Sequence, residues 1–150
     1  MKKIILVLSL SLLSIVSFAQ EIKWMTMDEA LKAQEKEPKP IFMDVYTDWC
    51  GPCKMLDKNT FHDASIVELV SKSYYAVKFN AEGNESITFK GTKYGNPNYD
   101  AARKGRNSVH EFTSFLKVQG YPTMYIFEAN GAIKTNILGY RTAEQLKAEL

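Results

Sequence analysis

Both cysteines of this chain stand three positions apart, Cys50 and Cys53, at a junction that few folds offer. Upstream runs Ile41–Thr47 (IFMDVYT), apolar apart from Asp44 in its middle, as a strand buried on both faces would be. Downstream, Pro52 opens a helical stretch reaching to about Asn59, placed in the first turn where its missing N–H costs nothing. A doubly buried strand that feeds a helix through a short turn requires a central sheet with helices above and below it. With 150 residues, 45% of them hydrophobic, the chain has material for one such domain.

The flanking sequence supplies the other layers. Glu21–Met25 reads as a short edge strand. Thr26 and Glu29 stand at capping-box spacing before a helix that should stop near Glu37, because Pro38 and Pro40 follow. Asp63 is placed to cap a helix burying Ile66, Val67, Leu69 and Val70, and Tyr74–Asn80 reads as a second central strand. Ser108 and Glu111 repeat the capping-box spacing for a helix carrying Phe112, Phe115, Leu116 and Val118 to Gly120. Thr123–Phe127 and Ala132–Leu138 form a hairpin about Asn130-Gly131, and Thr142 opens a closing helix. The expected order is β-α-β-α-α-β-α-β-β-α, an α/β mixed sheet flanked by helices on both faces. Between strand and helix lies Ala81–Asn107, rich in Gly, Asn, Lys and Tyr without a sustained period, read as a surface excursion with a short hairpin around Ile87–Tyr94.

Three chemistries compete for the Cys-x-x-Cys pair. Zinc needs two further ligands, and His62 and His110 are the only soft candidates left, with no second paired spacing. A purely structural disulfide would close a loop of two residues, which stabilises little and stays reducible. Redox exchange suits the position best. With Cys50 before the helix and Cys53 in its first turn, both sulfurs reach disulfide geometry, and the helix start favours Cys50 as a thiolate.

The first twenty residues bear on the compartment. Lys2 and Lys3 precede Ile4–Val16, in which ten of thirteen residues are apolar, and Ser17-Phe18-Ala19 follows. That order predicts a signal peptide over residues 1–19, a mature domain over 20–150 and no membrane anchor in the mature form. The two lysines of the leader account for the formal charge of +2, leaving 17 basic and 17 acidic residues in the mature chain. So even a balance argues against a nucleic-acid partner.

Asp44 through Leu56 (DVYTDWCGPCKML) resembles the active-site segment of the thioredoxin family. Val77-Lys78-Phe79-Asn80 resembles that family's next strand, and Gly120-Tyr121-Pro122-Thr123 its cis-proline loop. Lys39-Pro40 and Thr60-Phe61 are closer to exported members than to cytosolic ones. The resemblance implies a thioredoxin fold with residues 81–107 inserted before the cis-proline strand, and a protein-disulfide oxidoreductase needing neither cofactor nor metal. It implies Cys50 as the attacking thiolate, Cys53 as the resolving thiol, Asp44 as proton relay and Lys78 as its partner. Trp49, Gly51, Pro52, Tyr121 and Pro122 would border the client groove. Strongly oxidising relatives usually carry a histidine between the cysteines, so Gly51-Pro52 points to the reducing end of a family range from about −270 to −120 mV. The expected partners are client proteins with disulfides and, for an exported reductant, a membrane-embedded thiol donor. The expected location is the periplasm. The alternative readings are a disulfide oxidase or isomerase, and a partner-binding module acting through the 81–107 loop.

Overall fold

The structure, a computed structural model, describes residues 20–150. The expected leader over residues 1–19 lies outside them. The described chain runs α1 (Met27–Lys36), β1 (Ile41–Tyr46), α2 (Gly51–Asn59), α3 (Ala64–Ser73), β2 (Tyr75–Asn80), β3 (Ile87–Phe89), β4 (Thr92–Tyr94), α4 (Glu111–Leu116), β5 (Thr123–Phe127), β6 (Ile133–Leu138) and α5 (Ala143–Glu149). Four strands form one sheet in the order β2-β1-β5-β6, with β1 parallel to β2 and antiparallel to β5. The mixed sheet with helices on both faces is therefore as expected. No described helix is long and apolar enough to cross a membrane.

Strand alternation divides the core in two. Ile41, Met43 and Val45 of β1 pack with Met27, Ala30, Val77, Phe79, Phe112 and Leu116, so α1 and α4 cover that face. Phe42 packs with Leu56, Ile66, Val67, Val70, Ala76 and Leu146, so α2, α3 and α5 cover the other. Asp44 follows Phe42 by two and shares its face. It stands opposite Lys78 in the β1–β2 register.

Three expectations need correction. Glu21–Met25 is not a strand: only Met25 bridges to Val77, through Met25 N–H to Ala76 O (2.9 Å) and Lys78 N–H to Met25 O (3.2 Å). Thr26 ends the pairing at once, because it caps α1 with the expected capping box. Secondly, Ser108 and Glu111 do not form a box. Ser108 Oγ donates to Asn96 Oδ1 (2.6 Å) and the Glu111 carboxylate accepts from Gly95 N–H (2.7 Å), so both serve the preceding loop. His110 caps α4 instead, its Nδ1 accepting from Phe112 N–H (3.0 Å). That helix ends at Leu116, with Lys117 in the left-handed region (φ 55°), three residues before Gly120. Thirdly, the excursion is more than surface. Its expected hairpin turns through Lys90 and Gly91, both at positive φ, and buries Ile87 and Phe89 in the core.

Candidate active site

β1 delivers the chain to a turn over Asp48 and Trp49, and Cys50 then caps α2. Its Sγ accepts the N–H of Cys53 at 3.2 Å. The two sulfurs are bonded, with Cα atoms 5.3 Å apart. Exposure does not rank them, since Cys50 is 3% and Cys53 2% accessible in this oxidised form. Position does: only Cys50 faces a helix-start N–H, an interaction that favours a thiolate on reduction. Between the cysteines, Gly51 and Pro52 are exposed, and open space surrounds the Gly51 Cα where a side chain would stand.

Beneath α2 lies the carboxylate. Asp44 is fully buried, its Oδ2 accepts from Lys78 Nζ at 2.8 Å, and its Oδ1 has no partner. Burial raises its pKa to about 6, with Lys78 pulling the other way and the nearby Asp57 charge adding to the rise. Lys78, whose side chain is 20% exposed, also donates to Asp57 on α2. Its ammonium lies over the rings of Trp24 (4.8 Å), Phe61 (5.0 Å) and Tyr46 (5.2 Å). Burial opposes that charge, but Asp44 and Asp57 outweigh it and hold the lysine pKa above its ordinary value. Asp57 thus joins the expected pair as a third member. Its sequence signal is its position four residues after Cys53, on the same face of α2.

On the rim, the Trp49 ring meets Tyr121 edge-on at 5.8 Å and is 37% exposed. The Tyr121–Pro122 peptide is cis, and Pro122 is buried with its carbonyl accepting from Gly139 N–H (2.8 Å). Two residues of the excursion join this rim without having been expected there. Glu82 Oε2 accepts from Trp49 Nε1 (2.9 Å), and the Arg106 guanidinium lies 4.1 Å from the Trp49 ring centre. Of the two soft candidates, His110 has both ring nitrogens engaged, Nδ1 with Phe112 N–H (3.0 Å) and Nε2 with the Glu85 carbonyl (2.7 Å), while His62 Nδ1 bonds the Asp57 carbonyl (2.6 Å). Among the described residues, no group of three or more His, Cys, Asp or Glu gathers as a metal site.

Dithiol exchange requires two sulfurs that can close on each other and a setting that holds one of them as thiolate, and the start of α2 meets both needs. The class so defined is that of dithiol–disulfide oxidoreductases. A family model described as a thioredoxin-like domain matches residues 27–150, and the chain belongs to that family. It is 28% identical over 120 residues to the thiol:disulfide interchange protein DsbD of Pectobacterium atrosepticum, an alignment covering 79% of this chain and 17% of that one. The chain therefore spans about a sixth of the length of such relatives. Among solved structures, a Bacteroides thetaiotaomicron protein provisionally assigned as a disulphide-isomerase is similar at TM-score 0.61 and 26% identity, over 89% of this chain and 93% of that one. A thioredoxin from Thermus thermophilus superposes at TM-score 0.63 with 14% identity, over 86% and 84%, a likeness of fold.

Proposed function

We propose that the protein is an exported reductant of client-protein disulfides, working in the periplasm and recharged by a membrane-embedded thiol donor. The supporting observation is the Cys50–Cys53 pair at the start of α2, in a fold whose central strand holds a buried carboxylate with one open oxygen. The apolar leader and the Gly51-Pro52 pair add compartment and direction.

In the reduced protein, Cys50 Sγ, held as thiolate by the Cys53 N–H, attacks one sulfur of the client disulfide. The client's S–S bond breaks and one client sulfur leaves as a thiolate. Cys53 then loses its proton to Asp44, whose pKa near 6 suits acceptance at neutral pH. Its thiolate attacks Cys50, releasing the second client thiol and closing the internal disulfide, so two electrons pass to the client. Lys78 moderates the acidity of Asp44. Trp49, Tyr121 and the side-chain-free surface at Gly51 border the path of approach. Pro122 offers no N–H, which leaves the Tyr121 backbone available to an extended client segment.

Equilibration of the purified protein with glutathione tests the direction. A potential below about −180 mV is expected, and a higher one overturns the reductant reading. The isomerase-like relative favours a second reading, in which scrambled disulfides are reshuffled. Recovery of activity from a scrambled substrate under a glutathione buffer distinguishes the two.

A further inference from the structure

The excursion comes back to the thiols. Glu82, at its start, uses one carboxylate oxygen for both Trp49 Nε1 (2.9 Å) and Asn107 N–H (2.8 Å), which ties the far end of the segment to the indole. Arg106 is thereby laid on the ring of the residue preceding Cys50. Stacking on an aromatic face leaves the in-plane N–H groups of a guanidinium free to bond elsewhere. Arg106 is exposed, as are Arg103 and Lys104 beside it, and among the described residues none of the three pairs with a carboxylate. The acids of the same rim already accept hydrogen bonds from other groups, Asp48 and Asp100 while remaining exposed. Glu82 is occupied as described, Asp48 accepts from Asn80 Nδ2 (3.1 Å), and Asp100 accepts from Ala102 N–H (2.9 Å). Three exposed cations thus stand within four residues, none of them in an ion pair among the described residues, and the last is stacked on the residue preceding Cys50.

We propose that Arg106, supported by Arg103 and Lys104, selects clients whose reactive cysteines are flanked by Asp or Glu. The proposal rests on the thiol-exchange reading and names the class of client for it. A client aligned for attack at Cys50 passes the Trp49 ring, and a carboxylate one or two residues from its cysteine meets the guanidinium fork there.

The test uses peptide disulfides flanked by Asp-Asp, Ser-Ser or Lys-Lys, reduced by wild type, Arg106→Gln and Arg106→Lys, with second-order rates measured at low salt and in 0.5 M NaCl. Wild type should prefer the acidic over the neutral peptide about fivefold, the scale of one well-placed exposed charge pair. Salt should narrow that ratio. Arg106→Gln should bring it below about twofold, while Arg106→Lys keeps an intermediate value, because an ammonium lacks the stacked fork. A wild-type ratio of one overturns the proposal. So does a uniform slowing by Arg106→Gln with the ratio preserved, which would assign the side chain to Trp49 packing or to Cys50 reactivity. Wild type that reduces no peptide, the neutral one included, overturns the exchange reading and this proposal with it.

Discussion

Replacing Asp44 with Asn should stabilise the protein at neutral pH, and the gain should disappear in acid. The usual carboxylate value is 3.8, and burial under α2 raises that of Asp44 to about 6. Below about pH 4, both folded and unfolded chains hold the proton, and the buried group is a neutral acid. Between about pH 4 and 6 the unfolded chain releases its proton first, so the folded state binds more protons and its stability falls as pH rises. Above about pH 6 the loss is complete. A separation of about two units corresponds to about 3 kcal/mol of destabilisation in the wild type at pH 7 to 8. Asparagine fills the same volume without a charge to bury, and Lys78 keeps Asp57 and its aromatic surroundings. Urea unfolding of the oxidised wild type and Asp44→Asn, at intervals from pH 4 to 8, should show midpoints that coincide near pH 4 and then separate by about 3 kcal/mol. A difference independent of pH, or a wild type more stable at pH 8, would refute the assignment of the raised pKa to burial.

Asp57→Asn removes a negative charge that raises the Asp44 pKa and frees Lys78 for Asp44 alone. The pH midpoint of the same stability difference, now measured against the double variant with Asp44→Asn, should fall below that found in the wild-type background; an unchanged or higher midpoint contradicts the three-membered arrangement. Cys53→Ser should accumulate mixed disulfides with clients, seen on non-reducing gels and by mass spectrometry, whereas Cys50→Ser should not. Equal trapping by both would reverse or abolish the attacking order. Phe89→Ala should cost about 3–5 kcal/mol in urea unfolding, because the ring sits among Phe112, Phe115 and Phe127 at 5.6–5.8 Å. A loss below about 1 kcal/mol would return the excursion hairpin to the surface.

Local rules made the frame legible. The buried run Ile41–Val45 of β1, the Thr26 capping box and the hairpin at Asn130-Gly131 each depend on residues within a few positions of one another, and each formed. The Ser108 box failed although its spacing is sound, because Asn96 and Gly95 arrive from the folded loop and take both of its side chains. Spacing along a chain cannot weigh partners brought in by tertiary structure. The same holds at the site. Asp44 stood out as an acid in an apolar run, and the Cys-x-x-Cys pair is contiguous. Asp57 looked like any helical surface acid until Lys78 reached across from β2. Glu82 and Arg106 lie 33 and 57 positions from Trp49, in a segment without periodicity, and only their contacts with the indole distinguish them.

The way the excursion is closed has a consequence for how such a protein can diversify. Asn96 Nδ2 donates to both Gly83 O (2.9 Å) and Ser108 O (2.8 Å), so the loop has a narrow neck fastened a few residues from its tip. The entropy of bringing its ends together is met there, and lengthening a closed loop adds only about 0.6 kcal/mol per doubling. Residues 97–106 can therefore change in length and charge like an interchangeable cassette, while α2, the dithiol and the buried carboxylate beneath it stay as they are. Chains with the same redox chemistry would then differ in the charge they present beside the Trp49 rim, through ten residues that lie outside α2.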